Sequence, residues 1–285
     1  MDKQTTFEMF IRQRTKSLTD RLDAATHDKS DEAIRRLRVG IKRWRTLYRL
    51  VMKLRPPLGK PGKVERGVKR VFKRAGTVRT NQLNRQLIAP LRLPANLEKD
   101  VDRYFKKRGK KDRKRLQKAV KTLNINRLTK ETRLIGHAEA VISPLRMTHQ
   151  LSRLMEHEAE AISELPLTDA STEQLHTVRK HLKALIELGE VTLMLTPDKS
   201  MTRVMQRAKT LQRRLRNWHD QIVLIDRIND YVARHPAVLT PAKTRALYKR
   251  LDTRTQRQTT RIRHEVAKLS QWLPLLTPWQ TVLSV

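Results

Sequence analysis

The chain has 285 residues, with 63 Lys and Arg against 28 Asp and Glu, a formal net charge of +35, and no cysteine. Disulfides, thiolate metal sites and cysteine nucleophiles are therefore excluded. Apolar residues make up 38% of the chain and are spread along it, which is enough for a core and argues against wholesale disorder.

An excess of positive charge on this scale repels itself and makes sense chiefly if an anion offsets it. The candidates are nucleic acid, an anionic membrane surface and an inorganic polyanion. Met1 to Ile11 contains Asp2, Lys3 and Glu8 and has no apolar signal core. The longest uncharged stretch, Leu269 to Val285, is broken by Pro274 and Pro278. It falls short of the roughly 20 apolar residues that a membrane span needs. The expectation is a cytoplasmic, strongly basic protein without a membrane span.

Apolar residues recur at steps of three and four, the signature of one buried helix face. The pattern predicts helices over 5–25, 32–55, 63–88, 95–123, 127–142, 145–164, 172–195, 200–234 and 241–272. Asp31, Thr172 and Ser200 are the predicted N-caps, and prolines fall between the segments rather than inside them. In the second segment the apolar row is Ala33, Leu37, Ile41, Trp44, Leu47, Tyr48 and Val51. In the seventh it is Leu175, Val178, Leu182, Leu185, Ile186 and Leu193.

The chain repeats itself weakly. Residues 34–38 align with 175–179 at an offset of 141, and Lys42 falls on Lys183. Further on the offset is 140, which places Val64 on Val204, Lys69 on Lys209, Arg79 on His219 and Leu83 on Val223, with Pro57 on Pro197 between the two blocks. Each half has room for four helices. The expected organisation is all-α, with a four-helix bundle over 1–125, a connecting helix over 126–143 and a second four-helix bundle over 144–285.

Basic residues follow the same repeat. Arg35, Arg38, Lys42, Arg45 and Arg49 step by 3, 4, 3 and 4, a continuous stripe roughly 100° around the helix from the apolar row. His176, Arg179 and Lys183 occupy the same steps in the second half. The following helices add Lys69, Arg70, Lys73, Arg74 and Arg79, and then Arg207, Lys209, Arg213, Arg214 and Arg216, with His219 equivalent to Arg79. No acid lies between Arg35 and Arg55 to pair these cations. Arg binds phosphate oxygens as a planar fork and Lys as a point charge, so an alternating row along a helix can follow a chain of phosphates. Two such helices facing each other would line a basic groove. The cluster from Lys106 to Lys118 reads as an exposed segment that adds long-range attraction.

Little in the sequence points to base reading or catalysis. Trp44, Trp218, Tyr48 and Tyr104 sit at apolar-face positions, whereas single-strand binding needs exposed aromatic platforms. Gly62 and Gly67 have the spacing of a phosphate loop, but Val68-Lys69 follows where Gly-Lys and a hydroxyl are required. No HExxH or G-x-S-x-G is present. His149 and His157, and His176 and His181, miss the (i, i+4) spacing of a helical zinc pair. Glu156, Glu158 and Glu160 would splay around a helix axis. His219-Asp220 is the one acid–base pair of interest, and no nucleophile accompanies it. The expectation is a non-enzymatic protein without catalytic residues, cofactor or metal.

The segment Ile34 to Arg45, IRRLRVGIKRWR, resembles the first signature of the CHAD family, the histidine α-helical domain. Leu175 to Lys183 resembles its second copy. Gly76-Thr77-Val78-Arg79 is similar to the family's Gly-x-Val-Arg-Asp turn, and Leu215 to Asp220 to the second copy of that turn. The departures are Arg35 at the first His position, Thr80 at the first Asp, and Arg216 where the second copy often has Gly. The resemblance implies two four-helix bundles related by a pseudo-twofold axis, with a basic central groove that binds inorganic polyphosphate. The binding residues it implies with the stripes are Arg35, Arg38, Lys42, Arg45, Lys69, Arg70, Lys73, Arg74, Arg79, His176, Arg179, Lys183, Arg207, Lys209, Arg214 and His219. The expected partner is inorganic polyphosphate, with nucleic acid bound at low salt, and the expected location is the cytoplasm in association with polyphosphate granules. The alternative from charge alone is a non-specific nucleic-acid-binding or granule-associated helical protein.

Overall fold

Steps of three and four between buried apolar positions, with prolines confined to the ends, produce helices throughout. A computed structural model describes residues 3–28, 30–54, 63–131 and 144–276, and no strand occurs among them. The main helices are α1 (Lys3–His27), α2 (Asp31–Leu54), α3 (Lys63–Ile88), α4 (Ala95–Lys121), α5 (Pro144–Ser163), α6 (Thr172–Leu195), α7 (Lys199–Arg234) and α8 (Pro241–Ala267). Residues 125–131 are also helical; Pro57, Gly62 and the rest of the predicted connecting helix, 132–143, lie outside the described residues. The last helix is shorter than the 241–272 expected from its pattern. It gives way to 3-10 turns at Lys268–Gln271 and Leu273–Leu276, where Leu269, Leu273 and Leu276 are buried.

The predicted caps are displaced by one or two residues. Asp31 is the first residue of α2, and the Ser30 hydroxyl accepts from the Ala33 amide at 3.0 Å. Ser171, not Thr172, caps α6, in a reciprocal box with Gln174. Asp198, not Ser200, caps α7 by accepting from the Met201 amide. In each case the residue before the helix has the extended backbone or the short polar side chain that reaches back to a free amide.

The chain divides into two compact units, 1–83 with 105–150 and 84–104 with 151–285. The division falls within α3, α4 and α5.

In the first unit, α1 packs on α2. The buried row of α1 runs through Ile11, Leu18 and Leu22, and that of α2 through Ile34, Leu37, Ile41 and Trp44. Trp44 and Tyr48 stack in this core with ring centroids 4.9 Å apart.

In the second unit, α6, α7 and α8 form the core, with Leu175, Val178, Leu182 and Leu185 of α6 and Ala208, Leu215, Leu224 and Ile228 of α7 all buried. Gly189 lets these two helices close up, because a Cβ there would sit 2.7 Å from the Met205 sulfur. Trp218 is buried and donates its indole N–H to the Thr259 hydroxyl of α8 at 3.0 Å. Three arginines of α8 are committed to backbone carbonyls: Arg250 to Arg92, Arg254 to Pro90 and Arg263 to Ala170.

Candidate anion-binding site

In the first unit the basic stripe of α2 meets α3 along one flank. Arg38 lies half-buried with its guanidinium 4.5 Å from the centre of the Phe72 ring, and it donates to the Phe72 carbonyl at 3.2 Å. Arg45, two turns on, approaches the same ring at 5.8 Å. Arg38 passes over Gly76, where a Cβ would come within 2.7 Å of its Nη1. Gly76-Thr77-Val78-Arg79, expected as a turn, lies inside α3, and its glycine leaves room for a guanidinium from the neighbouring helix.

Helical spacing sets Lys69, Phe72, Gly76 and Arg79 on this flank of α3, with Lys73 beside it. Arg70 and Arg74 fall roughly 160–200° around from Phe72, so they are exposed on another side of α3. Arg35 is not a free cation. Its guanidinium grips Glu32 at 2.6 and 2.7 Å, and Glu32 also takes Arg36. The acid lies one turn upstream of the acid-free run from Arg35 to Arg55, at the (i, i+3) spacing that could have revealed it.

In the second unit the equivalents of Arg35, Arg38 and Arg79 come together. His176 and His219 meet edge to face with ring centroids 4.5 Å apart, and His176 also leans on Trp218 at 5.2 Å. Burial holds the His219 imidazole down at about 4, and the charges of Arg179 and then His176 add to the effect. The His176 pKa is lowered mainly by burial, then by Arg179 and Lys180, against the opposing pull of Glu173 and Asp226. Arg179 is itself lowered by burial, with Asp220 opposing. Its buried Nε and the buried Nδ1 of His219 make no hydrogen bond of good geometry among the described residues.

The other cations of this half are partly neutralised. Lys183 pairs with Glu187 at 3.6 Å and Lys209 with Glu190 of α6 at 3.0 Å. Arg214 pairs with Glu265 of α8 and, with Arg207, lies more than 100° around α7 from His219. The structure therefore groups His176, Arg179 and His219, with Lys183 and Lys209 held by acids and Arg207 and Arg214 on a different side.

The rings that could stack on bases are mostly inside: Trp44, Trp218 and Tyr48 are buried, and Tyr104 packs on Tyr231 at 5.4 Å. Lys106, Lys107, Arg108, Lys110 and Lys111 are exposed along α4, whose opposite face buries Phe105, Asp112 and Leu116. Asp112 accepts from Asn81 at 2.6 Å and pairs with Arg115. Among the described residues no helix is long and apolar enough to cross a membrane, and no group of three or more His, Asp or Glu is arranged to hold a metal.

Among the described residues the fold is all-helical, and its paired helices carry half-buried Arg and His beside exposed Arg and Lys, which defines a basic α-helical protein. The sequence profile of the CHAD domain matches residues 10–229, and the chain belongs to the CHAD family. That family is linked to polyphosphate binding. A crystal structure of the CHAD domain from the plant Ricinus communis has a similar fold, with a TM-score of 0.65 and 14% identity over 97% of this chain and 90% of that one. No curated protein sequence matches the chain.

Proposed function

We propose that the protein binds inorganic polyphosphate, without turning it over, through the basic helix pairs α2–α3 and α6–α7. In this reading the two halves are copies of one helical unit, and each offers its own basic stripe to the ligand. The observation that carries it is the pair Arg38 and Arg179. They are equivalent by the internal repeat, both are half-buried, and each stands beside the next helix of its own unit.

A guanidinium already stripped of part of its water gains more from a phosphate oxygen than one on an open surface. Phosphate groups recur along the ligand, so a row of such sites adds contacts at each step. His176 and His219 extend the row as donors that gain charge only when an anion is near. The buried position of Trp44, Trp218 and Tyr48 favours a ligand without bases over single-stranded nucleic acid.

Competition between long-chain polyphosphate and duplex DNA at one fixed salt concentration tests the reading. Polyphosphate should displace DNA at equal phosphate concentration, and its affinity should fall steeply with salt as counterions are released. Preferential retention of DNA, or equal affinity for orthophosphate and the polymer, would replace this function with non-specific binding. Unchanged polymer length after long incubation with and without divalent metal is the expected result for a non-catalytic protein.

A further inference from the structure

The helix α2 carries a second row of arginines on its other flank, facing α1. Arg36 and Arg43 lie roughly 140–180° around the helix from Arg38 and Arg45. They line a cleft of about 660 Å³ together with Arg35, Val39 and Ala33 of α2 and Ser17, Asp20, Arg21 and Ala24 of α1, with Asp28 at the turn between the helices.

Arg21 is the residue that shapes this cleft. It crosses α2 at Gly40, where a Cβ would come within 3.0 Å of its Cδ, and it donates to the Arg36 carbonyl at 3.3 Å. The long side chain is therefore held against the neighbouring backbone at the edge of the cleft it helps to line. Burial lowers its pKa first, and the positive charges of Arg43, Arg36 and Arg35 lower it further.

Acids nearby offset only part of this charge. Glu32 is shared between Arg35 and Arg36. Asp28 is turned to the start of α2, where it accepts from the Ser30 amide and hydroxyl at 2.7 and 2.8 Å. Asp20, next to Arg21 on α1, is the remaining carboxylate on the lining.

We infer that the cleft between α1 and α2 is a separate binding site for a compact phosphoanion of two or three linked phosphates. The dimensions suit a small ligand, since pockets for small molecules run to about 300–1,000 Å³. Arg21 from α1 and Arg43 from α2 bring guanidiniums to the cleft from two helices, and an Arg fork suits the oxygens of adjacent phosphate groups. The alanine and valine carbons of the wall would accommodate the organic part of a phosphate ester. Such a ligand could come from two sources, an inorganic oligophosphate or a nucleoside triphosphate, and both present the same oxygens.

Hydrogen exchange of the full chain, with and without inorganic tripolyphosphate or ATP, reads the site directly. The expected result is slower exchange in 17–28 and 33–43 with either ligand, and at least about tenfold weaker protection in Arg21→Gln and in Arg43→Ala. Equal protection by both ligands assigns recognition to the phosphates alone, and stronger protection by ATP adds the organic part. Arg43 is exposed, so its removal tests the charge without disturbing the packing at Gly40. A variant with Arg38→Ala and Arg179→Ala should keep the protection in 17–28, whatever it does to long polyphosphate. No protection of 17–28 by either ligand, or protection unchanged in both single variants, would overturn the site while leaving the proposed polyphosphate function untouched.

Discussion

Replacing Arg38 and Arg179 together by Ala is the sharpest perturbation of the proposed polyphosphate surface. Both guanidiniums are half-buried, and a charge-assisted contact in that setting is worth about 1.5–3 kcal/mol. The pair then represents about 3–6 kcal/mol, a loss of roughly 10²- to 10⁴-fold in affinity. Lys110 and Lys111 are exposed on α4, where a charge contributes under about 1 kcal/mol, so their double replacement should cost only a few-fold. The salt dependence separates the two cases further. Each lost phosphate contact lowers the slope of log affinity against log salt by about 0.7–0.9; the arginine pair should lower it by about 1.5 and the lysine pair should leave it nearly unchanged. Arg38 also rests on Phe72, a contact worth about 0.5–1 kcal/mol to the fold, so helical circular dichroism should persist with a slightly lower melting temperature. Calorimetry at three salt concentrations measures all of this. Equal losses of affinity and slope from the two double variants would mean that binding follows net charge, and the reasoning from the half-buried pair would fail.

Gly76→Ala removes a mid-helix glycine, which favours α3 by about 0.5–1 kcal/mol, but its methyl group displaces the Arg38 guanidinium; thermal unfolding should show unchanged or higher stability while polyphosphate titration shows weaker binding. The His219 imidazole is held near 4 in the folded chain against an ordinary 6.5. Its folded pKa is depressed, so the unfolded chain binds the extra proton first, and stability should fall as pH drops from about 6.5 towards 4. A full conversion of that shift gives about 3 kcal/mol, and the ring's partial exposure to water reduces it to about 1–2 kcal/mol. Urea titrations across that range should show the loss, and His219→Gln should flatten it. Polyphosphate supplies the negative charge that the two imidazoles lack, so affinity should rise over the same pH interval in the parent and less so in His176→Gln. Ser171→Ala breaks the capping box with Gln174 and should lower stability by about 1 kcal/mol, as read from the urea midpoint.

The helices were legible because their apolar rows are long and their breakers sit between them. The bounds 63–88 and 172–195 are those the periodicity predicts. The caps were less legible because Ser30-Asp31 and Ser171-Thr172 each offer two adjacent capping side chains, and only backbone geometry selects one. The repeat pairs Arg38 with Arg179 and Arg79 with His219, and the structure sets Arg38 against α3 and His176 against His219 of α7. It was silent on partners from other helices. Glu190 and Glu265 lie in the sequence far from the stripe positions they face, and no spacing rule links them to Lys209 or Arg214. The stripe also hid direction: Arg70 and Arg74 belong to the same basic run as Lys69 and Lys73, yet helical phase carries them to another side. The α1–α2 cleft has no signature in the sequence, because Arg21 belongs to no stripe and acquires its place through contact with Gly40.

Net charge is consequently a poor measure of what this chain can hold. Arg250, Arg254 and Arg263 are tied to carbonyls, and Lys183, Lys209 and Arg214 to carboxylates; these cations stabilise the second unit and are only weakly offered to a ligand. Arg38 and Arg179 differ because burial has already removed part of their water. A polyanion bound as proposed would meet groups already partly desolvated by folding, and its phosphates would have less water to displace. Self-repulsion of the remaining positive charge then works in the same direction, since each bound phosphate relieves several neighbouring cations at once. Folding thus concentrates a diffuse excess of charge into a few prepared positions, and it does so with small residues at the crossings: Gly76 under Arg38 on one flank of α2, and Gly40 under Arg21 on the other.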